Sequence, residues 1–232
     1  MLFALYALLI LLDKVRLSVL KAKRVEYIPG VGIDVDKFKN TVINKDEKRK
    51  ELGIPSDSFV IISVGELNKN KNHQIVIKAL GEIADSKIHY VIAGSGDKAA
   101  ELQGLADSLG VNLHLLGHRD DVAELYKMAD INAFPSIREG FGLAAIEGMA
   151  AGLPLVCSDN RGSRSYADSD NSIVCKHDNV DAFKKAILTL INDDALCHKF
   201  GENGQNTASL FDVKQINPML QKIYKEMAES IK

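Results

Sequence analysis

Short apolar runs alternate with longer helix-like segments through most of this chain, and that alternation limits the folds it can adopt. Strands are predicted for the apolar runs at 25–28, 59–64, 88–93, 113–116, 131–134, 154–157 and 172–174. Helices are predicted between and after them, at 72–84, 98–109, 121–129, 143–151, 181–192, 194–208 and 213–230. Strands that alternate with helices form βαβ units, whose strands run parallel. We therefore expect an α/β fold with a Rossmann-like, mainly parallel sheet and helices on both faces.

Four predicted strands are followed directly by glycine or proline, at Gly65, Gly94, Gly117 and Pro135. In an open α/β sheet, ligands bind in the crevice outside the carboxyl ends of the strands. We therefore expect the functional site at this edge. The pair Gly94 and Gly96 resembles a dinucleotide fingerprint, but the end of the next strand lacks the acid that would bind a ribose, which argues against a dehydrogenase.

Composition excludes nucleic acid as a partner. The formal net charge is −2, so the chain offers no electrostatic attraction to a polyanion. Aromatic residues make up only 6% and Trp is absent, which also argues against a base-stacking surface. The segment 40–53 is rich in Lys, Asp and Glu and is predicted to be a loop and a solvated helix. A hydrophobic fraction of 46% is enough for the core of a globular protein.

The cysteines and histidines give no metal signature. Cys157, Cys175 and Cys197 are widely spaced and odd in number, so we expect reduced thiols rather than a disulfide framework. His73 and His118 fall near the expected site, and the other four histidines are expected to be structural or solvated. We expect no cofactor and no metal site.

The first twelve residues are all apolar and are followed by a basic stretch. Twelve residues are too few to span a bilayer as a helix, and a secretory signal fits poorly. Two interpretations remain open: a hydrophobic helix packed on protein, or an interfacial anchor whose basic residues lie at the headgroups. Both predict that the run is covered, by a homo-oligomer contact or by a membrane surface.

A glycine-containing turn precedes the predicted helix at 143–151. The stretch is Glu139-Gly-Phe-Gly-Leu-Ala-Ala-Ile-Glu147. A helix N-terminus there would present backbone N–H groups to an anion, and the glycines would let the backbone come close to it. Two acids beside an anion site suit ligand hydroxyls rather than phosphate, so the pattern points to a nucleotide sugar. The alternative is that Glu147 is an ordinary first-turn acid, favoured by the helix dipole, and Glu139 a solvated loop residue.

The same stretch resembles the acid-x7-acid signature of the retaining glycosyltransferases of family 4, which have the GT-B fold. Five further segments resemble that family in the same order, so that the resemblance covers about residues 27 to 225. They are Tyr27-Ile-Pro-Gly-Val-Gly-Ile-Asp34, Ser63-Val-Gly-Glu-Leu-Asn-Lys-Asn-Lys71, Val91-Ile-Ala-Gly-Ser-Gly96, Leu115-Leu-Gly-His-Arg-Asp-Asp-Val122 and Ala150-Ala-Gly-Leu-Pro154.

The resemblance assigns a role to individual residues. Glu139 is the implied catalytic residue, in contact with hydroxyls of the transferred sugar, and Glu147 accepts the ribose hydroxyls. Lys71 pairs with the donor diphosphate, whereas Glu66 stands where the family usually has a second cation, an Arg. The remaining implied donor-binding residues are Gly94, His118, Arg119, Gly140, Phe141, Gly142 and Leu143.

No metal is required by this scheme, in which the protein positions the donor and stabilises the departing diphosphate. The pair Asp120-Asp121 lies in the implied base-binding loop and is interpreted as a helix cap. Among nucleotides, the resemblance favours UDP over GDP and ADP, and bacterial polysaccharide assembly in the cytoplasm or at the inner face of the membrane.

The resemblance also sets the expected domain organisation. Residues 1–24 are an N-terminal segment, 25–210 a nucleotide-sugar-binding domain, and 211–232 a C-terminal helix with nothing in this chain to pack on. Only about 24 residues precede the donor-binding domain, far fewer than the ~100–150 of a typical domain. Two hypotheses follow. The chain is the donor-binding part of a hexosyltransferase whose acceptor-binding N-terminal domain is supplied elsewhere, or it is a nucleotide-sugar-binding or interaction module without transferase activity.

Overall fold

The computed structural model describes residues 8–9, 26–28 and 30–230. Two short strands, β1 (Leu8–Leu9) and β2 (Glu26–Tyr27), pair in parallel with each other. The strand predicted at 25–28 is therefore present, but its partner is β1 rather than the main sheet. A helix is not found at Leu8–Leu9, since an apolar run without periodicity can form either structure. The rest of the run 1–12 lies outside the described residues.

The main sheet has six strands, all parallel. They are β3 (Phe59–Val64), β4 (Ile88–Ala93), β5 (Asn112–Leu115), β6 (Ile131–Phe134), β7 (Leu155–Ser158) and β8 (Ser172–Cys175). Each lies within one residue of its predicted bounds. Their order in space is β5-β4-β3-β6-β7-β8. The chain thus moves outward from β3 through β4 and β5, and then returns to place β6 on the other side of β3.

Helices cover both faces of this sheet, as predicted. They are α1 (Val35–Asn40), α2 (Lys45–Glu51), α3 (His73–Ile83), α4 (Ala99–Leu109), α5 (Val122–Met128), α6 (Leu143–Ala150), α7 (Val180–Ile191), α8 (Asp194–Ser209) and α9 (Val213–Ser230). One core contains the inner faces of α3, α4 and α7, and the other those of α1, α5 and α6. Strand β3 contributes to both, because Ile61 points into the first and Ile62 into the second.

Helix α2 corrects the prediction of a solvated helix within 40–53. Most of its side chains are exposed, but Lys48 and Arg49 are buried. Arg49 donates to the backbone carbonyls of Met128 and Ser58 and to the Asp130 carboxylate. The prediction failed because partners some eighty residues away leave no mark on the local charge pattern.

The C-terminal helix α9 packs on the domain through its first turn. Ile216 is fully buried, and the amide of Val213 donates to the carbonyl of Ile33. The expectation that this helix would find nothing in the chain to pack on is therefore wrong for that turn. Further along, Met219 and Tyr224 are exposed. No helix in the described part of the chain is long and apolar enough to cross a membrane, and the three cysteines are free.

Candidate functional site

The carboxyl ends of β3 and β6 form the point where the strand order reverses. Loops leave these two neighbouring strands toward opposite sides, which opens a crevice at the sheet edge. Lys71 lies in the loop after β3 and Glu139 in the loop after β6. Their Nζ and Oε1 atoms are 2.6 Å apart, with 22% and 14% of the respective side chains exposed. Two residues that the sequence placed in one site are thus brought together as a largely buried ion pair.

The residue after Lys71 fixes the direction of this loop. Asn72 adopts the left-handed conformation, with φ of 55°, at the start of α3. Its side-chain amide donates to the carbonyls of Pro135 and His177, so one residue ties together the loops that follow three strands. A non-glycine residue in this conformation costs about 1 kcal/mol, which these hydrogen bonds offset. Sequence reasoning missed Asn72, although the Lys-Asn step before a helix was a visible signal.

Three glycines continue the crevice from Lys71 toward β5. Gly65 and Gly94 follow β3 and β4 directly, Gly117 lies two residues after the end of β5, and the amide of Gly94 donates to the carbonyl of Gly117 over 2.7 Å. A Cβ atom on Gly94 would lie 1.9 Å from the carbonyl oxygen of Gly65, so no larger residue fits there. A Cβ on Gly65 would touch the Lys71 side chain at 3.3 Å. The three glycines thus keep side chains out of the crevice between the ion pair and the loop after β5.

Of the two glycines in the turn before α6, only one adopts a backbone conformation that favours glycine. Gly142 has φ of 93°, and a Cβ there would meet the Tyr166 hydroxyl at 2.7 Å and the Phe134 ring at 2.9 Å. Gly140 does not use the conformational freedom that a glycine has, because it has no positive φ, and a Cβ there would meet open space. The first N–H groups of α6, from Leu143 on, remain available to an anion, as in any helix.

The side chain of Phe141 belongs to the core. It is 7% exposed and packs edge-on against Tyr166 and Phe211. It also lies against Gly30, where a Cβ would come within 2.7 Å of the ring. This packing anchors the turn, so that only the backbone of Phe141 is left to contact a ligand. Leu143, by contrast, is partly exposed beside the crevice.

Helix α6 is fixed to the sheet by two buried polar side chains. The Tyr126 hydroxyl donates to the Ala144 carbonyl over 2.7 Å. The Asn132 amide donates to the carbonyls of Ala144 and Ala145. Gly148 allows this approach, because a Cβ there would overlap the Asn132 amide. The N-terminus of α6 is therefore held in place before any ligand arrives.

Glu147 lies one turn into α6, as predicted, and is half-buried. Burial raises the pKa of its carboxyl group, and the nearby ammonium of Lys37 opposes that rise. Within the described residues its side chain makes no hydrogen bond or ion pair. A half-buried carboxylate with both oxygens available suits a ligand that donates two hydroxyl hydrogen bonds.

The loop from His118 to Asp121 differs from its prediction in one respect. Asp121 occupies the residue before α5, but its side chain does not cap that helix. Instead it binds the Arg119 guanidinium through both oxygens, at 2.8 and 2.6 Å, and the Lys48 ammonium at 2.6 Å. Two cations outcompete a backbone amide for a carboxylate. His118 is exposed, with its ring 3.5 Å from Asp120.

Two other residues singled out by the sequence do not touch the ion pair. Glu66, at the position of the family's usual Arg, is exposed and accepts from the Asn68 amide over 2.7 Å. His73 is buried at the start of α3, between the Tyr90 hydroxyl and the Glu66 carbonyl. Burial lowers the pKa of His73 to about 4, so it is neutral at neutral pH. Among the described residues, no cluster of three or more His, Cys, Asp or Glu could hold a metal ion.

A crevice built at a strand-order reversal, beside a fixed helix N-terminus, is the setting in which α/β proteins bind phosphorylated ligands. Residues 44–207 match the family model described as glycosyl transferases group 1. The chain belongs to this family. Its six-stranded domain corresponds to the C-terminal domain of GT-B glycosyltransferases.

Curated relatives from this glycosyltransferase family cover most of the chain. The putative glycosyltransferase EpsD of Bacillus subtilis is 34% identical over 194 residues, which are 81% of this chain and 51% of EpsD. A D-inositol 3-phosphate glycosyltransferase of Corynebacterium jeikeium is also 34% identical, over 84% of this chain and 50% of the relative. The chain thus spans about half the length of the curated relatives that it matches.

Solved glycosyltransferase structures share the fold. HepE of Anabaena, determined in complex with UDP, superposes with a TM-score of 0.82 at 24% identity, over 89% of this chain and 58% of HepE. The C-terminal domain of the group 1 family protein LpcC from Francisella tularensis gives a TM-score of 0.68 at 22% identity, over 77% of this chain and 97% of that domain. At these identities the likeness concerns the fold alone.

Proposed function

We propose that the chain is the donor-binding part of a retaining glycosyltransferase of family 4, and that it binds a nucleoside diphosphate sugar, in the first instance a UDP-sugar. The observation that carries the proposal is the Lys71–Glu139 pair at the strand-order reversal. A cation, a carboxylate and a helix N-terminus in one crevice match the phosphates and hydroxyls of such a donor. The complex of HepE with UDP supports the choice of nucleotide.

Each end of the donor has a proposed partner. Lys71 and the backbone N–H groups of Gly142 and Leu143 hold the diphosphate. Glu147 accepts the ribose hydroxyls, and the backbone from Gly94 to the His118–Arg119 loop holds the base. Glu139 exchanges its contact with Lys71 for hydroxyls of the transferred sugar. In this proposal 25–210 is the donor domain, and the helix at 211–232 contacts an acceptor-binding domain.

Binding of UDP tests the proposal directly. Titration by calorimetry or ligand-observed NMR should detect UDP at millimolar concentration or below. Replacing Glu147 by Ala should weaken it, because both ribose hydrogen bonds are lost. The failure of the parent chain to bind UDP would overturn the proposal. If E147A bound UDP as tightly as the parent, only the proposed contact of Glu147 with the ribose would be wrong.

The transfer reaction needs an acceptor held in reacting geometry, which we assign to a second domain. The chain alone should therefore show no enzyme-like turnover with a lipid-linked or oligosaccharide acceptor. With an acceptor-binding domain added, Glu139→Ala should lower the rate far more than the UDP affinity. Efficient transfer by the chain alone would contradict this division of labour. UDP-sugar binding without transfer under either condition would favour the second candidate, a non-catalytic nucleotide-sugar-binding module.

A further inference from the structure

A buried lysine joins helix α2 to the loop after β5. The Lys48 ammonium lies 2.6 Å from Asp121, 2.9 Å from Glu124 and 3.1 Å from Glu51, and only 10% of its side chain is exposed. Arg119 completes the group, because its guanidinium binds Asp121 and reaches Glu51 at 3.3 Å. We call these five residues the Lys48 cluster.

The cluster decides what the loop can offer to a ligand. The side chains of Arg119 and Asp121 both turn toward α2 and are held there by charge-assisted hydrogen bonds. The groups left at the strand ends are the loop backbone and the exposed side chains of His118 and Asp120. Gly117, where the loop begins, is fixed from the other side by the hydrogen bond from Gly94.

Lys48 is the least replaceable member of the cluster. Burial by itself lowers the pKa of its ammonium group, but the three carboxylates together raise it well above its usual value, so Lys48 is charged. Its removal would leave Glu51, Asp121 and Glu124 facing the single cation Arg119. Like charges at these distances repel, and a partly buried carboxylate without its cation is costly. The loop would therefore move, since it carries two of the five residues.

We infer that Lys48 is a positioning residue for the loop that receives the donor's nucleobase. It acts through Asp121 and Arg119 and does not touch the ligand itself. The inference rests on the proposed function. It adds that recognition of the base depends on a lysine of α2, a helix outside the crevice. Because Lys71 and the α6 N-terminus lie at the other end of the crevice, the phosphates should be held independently of Lys48.

The experiment compares UDP with inorganic pyrophosphate, which has no base. Lys48→Met should weaken UDP binding roughly ten-fold, the size expected for a residue that acts on a site through others. Pyrophosphate, measured directly or by its displacement of UDP, should bind within about two-fold of the parent. Lys48→Arg keeps the charge and should restore most of the UDP affinity.

The matched control is Lys45→Met, which removes the same charge from the same helix. Lys45 pairs with Asp130, which is not part of the loop, so UDP binding should not change. The inference is overturned if K48M binds UDP like the parent, if UDP and pyrophosphate weaken equally, or if K45M has the same effect as K48M. A parent chain that binds neither UDP nor pyrophosphate would instead overturn the proposed function, and this inference with it. If the parent bound UDP but not pyrophosphate, the inference that the phosphates are held independently of the base would be wrong.

Discussion

The Lys48 cluster and the Lys71–Glu139 pair border the same crevice but are built differently. In the cluster, two cations share three carboxylates, and every charge except that of Glu124 has at least two partners. The pair has a single salt bridge between one cation and one carboxylate, beside the N-terminus of α6, and the Lys71 ammonium also lies 5.5 Å from the centre of the Phe134 ring. A network in which most charges have several partners resists the loss of any one of them. An isolated ion pair, in contrast, can exchange its carboxylate for a more strongly charged anion. The first arrangement suits a scaffold and the second a binding site.

The largest effect is expected on stability, from a substitution in helix α2, on the scaffold side of this comparison. Arg49→Met should lower the free energy of unfolding by about 3–5 kcal/mol, because it leaves two buried carbonyls without a donor and takes from Asp130 one of its two cations, Lys45 being the other. Chemical denaturation measures this loss. Lys50→Met, a change at an exposed position of the same helix, is the control and should have little effect. If the two variants are equally stable, the buried cation of α2 has no structural role.

Acid should weaken the fold through a histidine that lies next to the binding pair in sequence. The pKa of His73 is lowered to about 4 by burial, so the folded state binds fewer protons than the unfolded chain between about pH 4 and 6.5. The contribution of His73 to stability is therefore constant above that window and falls by up to about 3 kcal/mol as the pH drops through it. Denaturation at several pH values measures the slope.

His73→Gln should remove most of this slope, while the exposed His118→Gln should leave it unchanged. Some slope will remain in H73Q, because burial also lowers the pKa of His89 and His114. A slope in H73Q as steep as that of the parent would show that His73 is not the group responsible.

On the binding side, Lys71→Met should weaken UDP roughly 10- to 100-fold, as expected when charge-assisted hydrogen bonds worth about 1.5–3 kcal/mol are lost. The free energy of unfolding should change much less than in R49M, because the Lys71 ammonium contacts one carboxylate and one aromatic ring, whereas Arg49 binds a carboxylate and buried carbonyls. Calorimetry and denaturation on the same variant separate the two quantities. Lys69→Met removes an exposed charge from the same loop and serves as the control. If K71M bound UDP as tightly as the parent, the Lys71–Glu139 pair would not be a binding site, and the distinction between scaffold and site would be wrong.

The smallest effect has the opposite sign. Glu139→Gln should tighten the binding of bare UDP by about 1 kcal/mol, roughly five-fold, because Lys71 is released and a negative charge near the diphosphate disappears. Titration of UDP against the parent and E139Q measures it, and the gain of K71M/E139Q over K71M should be smaller, because only the loss of the negative charge then contributes. Weaker binding by E139Q would mean that Glu139 contacts the nucleotide rather than competing with it.

The parts of this protein that follow from local pattern could be predicted from its sequence. Strand β3 is apolar except for Ser63, and such a run forms a buried strand wherever helices cover both faces of the sheet. The turn before α6 was recognisable because Glu139, Gly142 and Glu147 are close in sequence. The bounds of the main strands came within one residue for the same reason.

The parts that depend on distant partners could not be predicted from the sequence. Lys48 and Asp121 are 73 residues apart, so nothing near Lys48 distinguishes it from a solvated lysine. Asp121 was interpreted as a helix cap, but it binds two cations instead, Arg119 two residues before it and the distant Lys48. Asn72 makes its contacts with loops 63 and 105 residues away.

The sequence by itself determined the alternation of strands and helices, the parallel sheet and the residue types available at its edge. Those properties follow from periodicity, turn chemistry and apolar burial, all of which act over a few residues. Only the tertiary structure decided that β3 and β6 become neighbours, and therefore that Lys71 meets Glu139 across 68 positions of the chain. Ionic contacts of this kind are selected by where the folded backbone places each charge, because their energy depends on distance and burial rather than on sequence separation.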